Sequence, residues 1–558
     1  MNKTSSRSML IAVSLGMLTS CGGGDHVTGP GTGAAGTSAA GTSGGSGAAG
    51  TGTAGATGTG GSSGTAVGTA GATGTPGTAG SGGSAASGGG GSTGSAGTGA
   101  SGGSSAGRGG STGAAGYGGG GRGGEAGTGA GGTAMPGGGN GGTGTGTAGS
   151  GAAGTGTGTA GTGAAGSAAG GTGGLPTSYG TENTGADCPA PPAPPAFSAL
   201  PMIPNLPDPF LMTNGTRISK ITDWRCRRAE IASQIQYWGS GPKGAPPAAS
   251  NLTATFSGGT LTVTVTQGGA TITLTATIST PSGAGPFPLV IGMNTPTGSL
   301  PTSLFNGVAT MTFTSTQLVP DAFNVPRGGG TYFTMYPDKN AGAMIEWAWG
   351  VSRLIDGLYE TQSQNKIDLS RIAVTGCSYQ GKMTLYAGAF DERIALTIPE
   401  ESGGGGEASW RFMATQTGTE DLEAAQGTAW YAQNLLQFKN KDAPKLPYDQ
   451  HELVAMIAPR AILAIENTGI DRLGSQAGSV SMRAAKEVYK AMGIPDRIGY
   501  SQAQASAHCS FPASVQSPDV QAFVDKFLLN KTANTNIARD SYNTDLTKWV
   551  TWSTPTLQ

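Results

Sequence analysis

Residues 372–382 read Ile-Ala-Val-Thr-Gly-Cys-Ser-Tyr-Gln-Gly-Lys, and this stretch decides the fold. An apolar run, a turn between two glycines and a run compatible with a helix follow one another. This is the strand–turn–helix context of the motif G-x-S-x-G, in which a serine stands exposed on a sharp turn. Here the second glycine comes one position late. The stretch predicts that Ser378 is a nucleophile where a buried strand ends.

A second segment, Ala507–Pro512, supplies the base that such a serine needs. A serine hydroxyl is a weak nucleophile at neutral pH, and histidine titrates near neutrality. The chain has three histidines. The order serine, acid, histidine, usual in α/β-hydrolases, favours His508. His26 lies in a low-complexity segment, and His451 is predicted to be a buried structural or pocket-wall residue. A serine hydrolase is therefore the leading hypothesis.

The acid that orients the imidazole is not decided by the pattern. Glu400 and Glu401 follow the strand after the nucleophile helix, and Glu466 and Asp471 follow the next predicted strand, the commoner position for the acid. Any of these carboxylates could hold the imidazole and stabilise its cation.

An oxyanion hole requires backbone N–H groups directed at the developing charge. One should come from Tyr379, directly after the nucleophile, and a second from the loop near Asn294 and Thr295. Lys382 stands four residues after Ser378, on the same helix face. A cation there would suit an acidic or hydroxyl-rich substrate.

The cysteines indicate an exported protein with two disulfides. Apart from Cys21, four cysteines remain, and an even number in an exported chain favours disulfide pairing. Cys377 adjoins Ser378 and Cys509 adjoins His508, so a bridge between them would fasten the nucleophile to the base; Cys188 and Cys226 would then pair. The chain has no C-x-x-C motif and only three histidines, so we expect no metal site.

The N-terminal part reads as an export signal followed by a linker. Residues 1–21 combine a basic start, a short apolar core and the sequence Leu-Thr-Ser-Cys, which resembles a bacterial lipobox and implies lipid attachment to Cys21. Glycine at position 22 favours the outer membrane by the same analogy. Residues 22–186 are almost wholly Gly, Ala, Thr and Ser, a composition that predicts a disordered linker.

Residues 187–534 have the composition of a single globular domain, and residues 535–558 are predicted to form a loose tail. The formal net charge of −1 gives no indication of a nucleic-acid partner. Strands alternate with helices in the second half, after three β-branched strands with Gly-Gly turns between them. The pattern predicts an α/β-hydrolase fold, a three-layer sandwich whose central sheet is mainly parallel with an N-terminal antiparallel edge.

The expected elements follow from periodicity and from turn residues. Strands are expected at residues 252–256, 260–267, 270–279, 287–293, 372–374, 394–398, 461–465 and 498–500, and helices at 222–238, 343–359, 383–390, 482–492 and 520–529.

Three segments together resemble carbohydrate esterase family 15, the glucuronoyl esterases. That family carries V-T-G-C-S-R-N-G-K at the elbow, E-S-G on the next loop and H-C-x-F-P at the histidine, and the resemblance extends over about residues 188–529. Members hydrolyse esters of 4-O-methyl-glucuronic acid, thought to link xylan to lignin alcohols, through an acyl-enzyme and without metal or cofactor. The resemblance implies Ser378 as nucleophile, His508 as base, Glu401 as acid and Lys382 as a ligand of sugar hydroxyls.

Two positions depart from the family pattern. The arginine that follows the nucleophile, thought to stabilise the oxyanion, is Tyr379 here. The substrate tryptophan of I-D-W-L-G is Arg472, which could pair with a uronate or a phenol. Fungal members have a third disulfide, and serines, Ser409 and Ser481, stand at both of its cysteine positions in this chain. The family also carries a glutamine and a glutamate in the insertion, and the candidates for them in this chain are Glu420, Glu423 and Gln426.

The sequence thus predicts a lipid-anchored, monomeric esterase of glucuronoxylan–lignin esters, with its membrane contact restricted to the anchor. Two alternatives stay open. One is an esterase of the same fold with shifted specificity for other uronate or acetyl esters. The other is a non-catalytic carbohydrate-binding relative.

Overall fold

The computed structural model describes residues 175–185, 187–338 and 340–558. The predicted signal peptide, the lipidation site Cys21, His26 and the linker up to residue 174 lie outside these residues. In the described part, a ten-stranded sheet carries helices on both faces, as the α/β-hydrolase fold requires. No helix of that part is both long and apolar enough to span a bilayer.

The strands lie in the order β1-β2-β3-β5-β4-β6-β7-β8-β9-β10. From β5 through β4 to β10 all neighbours run parallel, whereas β1, β2, β3 and β5 pair antiparallel. Their bounds are β1 Leu252–Ser257, β2 Thr260–Gln267, β3 Ala270–Ser279, β4 Phe287–Met293, β5 Ala309–Phe313, β6 Ile367–Cys377, β7 Ile394–Glu400, β8 Ala461–Asn467, β9 Ile498–Ala503 and β10 Ala538–Arg539.

Four long helices and one shorter one cover the parallel part or support the site, and four one- or two-turn helices connect them. The bounds are α1 Ile221–Ile235, α2 Ala343–Glu360, α3 Gln362–Asn365, α4 Tyr379–Phe390, α5 Trp410–Met413, α6 Leu422–Ala425, α7 Gln450–Ala455, α8 Ser475–Ala491 and α9 Ala513–Phe527.

Burial explains the two kinds of strand. In β3, buried and exposed residues alternate because one face meets water. In β7 and β8 every residue is buried, because helices cover both faces of the parallel part. Those strands therefore read as largely apolar runs, interrupted in β7 by the buried Thr397, that end in polar residues. The polar ends form the rim where the site is built.

Most expected elements are present, and the differences lie at their ends. β5 was not predicted; it is a short run that pairs with β4 on one side and β3 on the other. α4 begins at Tyr379, directly after the turn, rather than at residue 383. α8 begins at Ser475 instead of 482, and α9 runs through Pro518 from Ala513, although proline removes one helical hydrogen bond.

The domain is longer than predicted at both ends. The linker was expected to reach residue 186, but residues 175–185 pack on the domain: the Tyr179 N–H donates to the Glu392 carbonyl at 2.9 Å. The tail was expected to be loose, but β10 pairs with β9, and Leu557 is buried with its N–H bonded to the Ala491 carbonyl. Single apolar residues among polar ones anchor both segments, a pattern that composition does not indicate.

Candidate active site

The turn after β6 holds Ser378 in a strained conformation. Its φ is 64° and its ψ is −128°, values that few residues other than glycine adopt. Its N–H donates to the Glu400 carbonyl of the neighbouring strand at 2.9 Å. A Cβ on Gly381 would lie 2.4 Å from that same carbonyl oxygen, so only glycine lets the helix begin this close to β7. The second glycine of the motif, Gly381, therefore permits this close approach of α4 to β7, although it comes one position later than in G-x-S-x-G.

The loop after β9 brings His508 to the loop after β7. His508 Nδ1 lies 2.7 Å from Glu401 Oε2, and the Cys509 N–H donates to the same oxygen at 3.0 Å. Because an ionised carboxylate only accepts hydrogen bonds, Nδ1 carries the proton and Nε2 is left as the acceptor. The Ser378 hydroxyl makes no hydrogen bond to His508 among the described residues, a contact that often tightens only when substrate binds.

The other three candidate acids make no hydrogen bond to His508 in the described chain. Glu400 is buried below the turn and accepts from the Ser299 N–H and the Thr375 hydroxyl, both at 3.2 Å. Burial raises its pKa to about 8. Burial, with the Glu407 carboxyl beside it, raises the pKa of Glu466 well above its usual range. Asp471 lies exposed in a one-turn helix.

Both expected disulfides are present. Cys377 is bonded to Cys509, with Cα atoms 5.8 Å apart, and therefore ties the residue before Ser378 to the residue after His508. Cys188 is bonded to Cys226, and this bridge fastens the N-terminal arm to α1. The first bridge joins two loops that are 132 residues apart in sequence, directly beside the proposed catalytic side chains.

The ring of Tyr379 points into a cluster of aromatic side chains beside the turn. Its hydroxyl oxygen accepts hydrogen bonds from Asn294 Nδ2 at 3.2 Å and from Gln380 Nε2 at 3.4 Å. The Asn294 backbone N–H, expected as an oxyanion donor, is engaged by the Phe313 carbonyl at 2.8 Å. That expectation was wrong for Asn294, because β4 continues its pairing with β5 through this residue.

Lys382 extends from α4 into a buried position beside the turn. Its Nζ donates to Glu420 Oε2 at 3.0 Å and lies 5.7 Å from the centroid of the Trp430 ring. Glu420 also holds the loop after β8, because its N–H donates to the Arg472 carbonyl at 2.6 Å. The structure therefore brings three predicted residues, Lys382, Glu420 and Arg472, into one corner of the site.

Two other candidates for substrate contact turn away from this corner. The Glu423 carboxylate accepts from the Asn440 N–H at 3.0 Å, and Gln426 Nε2 donates to the Leu435 and Phe438 carbonyls. Both side chains thus brace the insertion itself. Trp430 and Phe323, whose rings contact the Tyr379 ring, were missed because they lie in an insertion and a loop without periodicity.

Neither His451 nor a metal centre belongs to this site. His451 is buried, with Nε2 2.9 Å from the Pro207 carbonyl oxygen, and burial lowers its pKa to about 4, so it is neutral and structural. Among the described residues, ligand atoms of Cys377, His508 and Cys509 come close enough to share a metal ion. The two sulfurs are bonded to each other, which removes them as thiolate ligands.

Sequence comparison finds relatives that match most of the described domain. The family described as "Glucuronyl esterase, fungi" matches residues 263–493. The 4-O-methyl-glucuronoyl methylesterase of Podospora anserina is 38% identical over 363 residues, which is 63% of this chain and 74% of the relative. The enzyme of the same name from Phanerochaete carnosa is 39% identical, over 63% of this chain and 89% of the relative.

Solved structures give the same result. The glucuronoyl esterase catalytic domain from Hypocrea jecorina has a TM-score of 0.61 and 39% identity, covering 65% of this chain and 100% of that chain. A mutant glucuronoyl esterase from Sporotrichum thermophile, in complex with methyl 4-O-methyl-beta-D-glucopyranuronate, has a TM-score of 0.59 and 35% identity, covering 64% of this chain and 97% of that chain. A family 15 glucuronoyl esterase from Caldicellulosiruptor kristjansonii has a TM-score of 0.56 and 28% identity, covering 64% of this chain and 100% of that chain.

Proposed function

The chain belongs to the glucuronoyl esterases of carbohydrate esterase family 15, and we propose that it hydrolyses 4-O-methyl-glucuronoyl esters with Ser378, His508 and Glu401. The observation that carries the proposal is the 2.7 Å contact between His508 and Glu401, beside a serine held on a strained turn. The disulfide between Cys377 and Cys509 supports it, because it limits how far nucleophile and base can separate.

In the proposed reaction, Ser378 Oγ attacks the ester carbonyl while His508 Nε2 takes its proton. Glu401 stabilises the resulting imidazolium through Nδ1, and the Tyr379 N–H stabilises the oxyanion. His508 then gives the proton to the leaving alcohol, and the uronic acid remains as an ester of Ser378. A water molecule, activated by His508 in the same way, releases the acid and restores the serine.

The uronic acid half belongs in the corner formed by Lys382 and Glu420. Lys382 Nζ and Glu420 Oε2 lie 3.0 Å apart, so each side chain fixes the other. Together they offer a donor and an acceptor to sugar hydroxyls. The ester itself carries no charge, so a buried ion pair that is already neutralised suits it better than an unpaired cation would.

We also propose that the enzyme is a monomer attached to the outer membrane through a lipid on Cys21, with residues 22–174 as the tether. The support is the sequence: a basic start, a short apolar core and Leu-Thr-Ser-Cys, followed by glycine. Labelling of the expressed protein with a palmitate analogue tests the anchor. A Cys21→Ser variant should take up no label, and label on the variant would contradict this proposal.

The activity is tested with methyl and benzyl esters of 4-O-methyl-glucuronate beside simple acetyl esters. We expect hydrolysis of the glucuronates, none of the acetyl esters, and loss of activity in Ser378→Ala. The exposed Arg472 and the tyrosine at position 379 favour a second candidate, an esterase with shifted specificity. Hydrolysis of acetyl esters alone would establish that candidate and overturn the first.

A further inference from the structure

Two buried carboxyl groups lie behind Glu401 and have no part in the proposed reaction. Glu407 stands in the loop after β7 and Glu466 near the end of β8, and their side chains are 0% and 1% exposed. None of their four carboxyl oxygens has a hydrogen-bond partner among the N–H and hydroxyl groups of the described chain. Lys382, whose charge reaches Glu407, is paired with Glu420 instead. Buried polar atoms without partners are costly, so these oxygens call for an explanation.

The explanation is that the two carboxyl groups are hydrogen-bonded to each other. An ionised carboxylate only accepts hydrogen bonds, so this contact requires a proton on one of the two groups. Two carboxyl groups in contact do not both ionise. Burial raises the pKa of both, that of Glu466 well above its usual range, whereas the positive charge of Lys382 favours the ionised form of Glu407. Glu466 is therefore the donor and Glu407 the acceptor.

The surroundings of the pair offer it little besides its own proton. The Tyr500 hydroxyl lies nearby but donates to the Ser475 carbonyl at 2.8 Å. The N–H groups of Ser402 and Gly403 favour a negative charge on the pair, although neither forms a complete hydrogen bond with it. α8 faces Glu407 with Gly478, where a Cβ would lie 3.2 Å from Oε1. The titratable groups that face the pair are Lys382 of α4, Glu401 of the loop, Tyr500 of β9 and Tyr542 of the C-terminal segment.

The pair closes the loop that carries Glu401. At the start of this loop, the Glu401 N–H donates to the Ile465 carbonyl at 2.7 Å. Farther along, the Glu407 N–H donates to Ser402 Oγ at 3.1 Å, and the Glu407 carboxyl meets Glu466. Two successive residues of β8 thus hold the loop at two points. Glu401 itself has a φ of 44°, a conformation that persists only where the surroundings impose it.

We propose that Glu407 and Glu466 share a single proton and act as one positioning unit for Glu401, and that loss of this proton at alkaline pH separates Glu401 from His508. The proposal rests on the proposed function, which assigns Glu401 as the acid. When the proton leaves for the solvent, two negative charges face each other in a medium of low dielectric constant and repel. Because the folded protein binds the proton more tightly than the unfolded chain, the unit is intact at low pH and is lost as the pH rises.

The first test is the pH profile of kcat on the methyl ester of 4-O-methyl-glucuronate between pH 6 and pH 10, with the rate of Ser378→Ala subtracted as background. The wild-type kcat should fall about ten-fold or more toward pH 10 and recover at pH 7, because His508 loses its orienting acid. Glu466→Gln should lose less than about three-fold over the same range, because an amide donates to Glu407 at every pH. Glu346→Gln, at a buried carboxyl on α2, should retain the wild-type profile. Glu400 is present in all these proteins, so its titration produces no difference between them.

The second test separates positioning from titration. Glu407→Leu keeps the volume and removes the acceptor, and it should lower kcat about ten-fold already at pH 7. Glu407→Gln restores a hydrogen bond to Glu466 and should keep kcat near the wild-type value. Melting temperatures exclude a folding defect in each variant. Equal kcat in Glu407→Leu and the wild type would overturn the positioning role, and the same alkaline fall in Glu466→Gln as in the wild type would overturn the role of the proton.

Infrared difference spectra count the proton without any substrate. At pH 7, the carbonyl stretch of one protonated carboxyl should be lost in Glu466→Gln and retained in Glu407→Gln. Loss in both variants would mean that each group carries its own proton, and loss in neither would mean that both are ionised; either result overturns the proposal. If no variant and no wild-type protein hydrolyses the ester at any pH, the proposed function fails, and the spectra still decide whether the proton is shared.

Discussion

Strain in the backbone is concentrated at the residues that build the site. Ser378, Glu401 and Cys509 have φ values of 64°, 44° and 58°, and Asn294 at the neighbouring loop has 61°. Each such residue costs on the order of 1–3 kcal/mol unless its surroundings support it. Here the support is the disulfide, the N–H of Glu401 bonded to the Ile465 carbonyl at 2.7 Å, and the strand pairs below. The turns at Glu401 and Cys509 bring the Glu401 carboxylate into contact with His508 and with the Cys509 N–H.

The first prediction separates Glu401 from the other carboxylates. Glu401→Gln should lower kcat/KM by about 10³–10⁴, because an amide no longer favours the required tautomer of His508 or stabilises its cation. Glu466→Gln should keep activity within about three-fold, because Glu466 makes no contact with His508 and burial already favours its neutral form. Steady-state kinetics on methyl glucuronate measure both. A greater loss in Glu466→Gln than in Glu401→Gln would reverse the assignment.

The second prediction concerns the residue after the nucleophile. Asn294 Oδ1 accepts the Ser315 N–H at 2.8 Å, which fixes the amide so that its NH₂ group faces Tyr379. The Tyr379 oxygen therefore accepts, and its own proton is free to donate. Losing one oxyanion donor costs about 10²–10³ in rate, so a guanidinium in place of the phenol should add stabilisation. We expect Tyr379→Arg to raise kcat on the methyl ester several-fold.

Tyr379→Phe is the matched control, since it removes the hydroxyl and keeps the ring. It should lower kcat if the phenol donates to the oxyanion. An unchanged or lower kcat in Tyr379→Arg, in a protein of wild-type melting temperature, would mean that a guanidinium at this position stabilises the oxyanion no better than the phenol does.

The third prediction concerns the buried Glu400. When unfolded, this carboxyl loses its proton near the ordinary value of 4.5, but in the folded protein burial raises the pKa to about 8. Between these two values the folded state binds more protons, so its stability falls as the pH rises. Relative to Glu400→Gln, the wild type should lose about 1.4 kcal/mol of unfolding free energy per pH unit in this window.

Urea unfolding of both proteins at pH 5, 6, 7 and 8 gives the comparison. Parallel curves, with a constant difference between the two proteins, would mean that Glu400 is ionised in the folded state throughout.

The residues that carry chemistry were predictable where a short motif fixes them and unpredictable where two loops meet. Ser378 follows from its turn, and His508 from its place after the last long strand. The choice among four carboxylates depends on how the loop after β7 turns at Glu401, with its positive φ. Residue types and spacing left that choice open, and only the family motif E-S-G pointed to Glu401. Phe323 was not predicted because single exposed apolar residues are common on protein surfaces and carry no pattern.

At the scale of elements, the disulfide between Cys377 and Cys509 joins the turn after β6 to the loop after β9. Replacing both cysteines by serine should lower kcat at least ten-fold, because the loop that carries His508 can then move away from Ser378. Replacing Cys188 and Cys226 is the matched control. It should lower the melting temperature, since a disulfide contributes about 2–4 kcal/mol, and leave kcat unchanged. An equal kcat in both double variants would mean that the bridge between Cys377 and Cys509 does not position His508.

Strands were easier to predict than helix starts, for a physical reason. β4, β7 and β8 are buried on both faces and read as mainly apolar runs. The first two turns of α8, from Ser475, contain mainly small and polar residues, although Ala477 and Val480 among them pack in a small apolar cluster with Phe412. Without an apolar stripe that segment resembles a loop, and its helical state is set by tertiary contacts.

At the scale of the whole described molecule, a short arm before the predicted domain closes a network of buried charges. Glu182 accepts from Lys243 Nζ at 2.5 Å and pairs with Arg353, a side chain with no exposure. Thr184 is bonded to Glu392, which in turn pairs with Arg228. The arm thus neutralises Arg353, which lies on α2, and Lys243, which lies in the loop after α1.

The last prediction follows from this network. A chain that starts at Asp187 should unfold with a free energy about 3–5 kcal/mol lower than a chain that starts at Leu175, because Arg353 and Lys243 stay buried without Glu182. In the longer chain, Glu182→Gln should show a large part of this loss, because the amide keeps the shape and removes the charge. Denaturant unfolding, with kcat on methyl glucuronate as a second readout, measures both. Equal stability of the two chains would mean that Asp356 and Asp391 alone compensate the two cations.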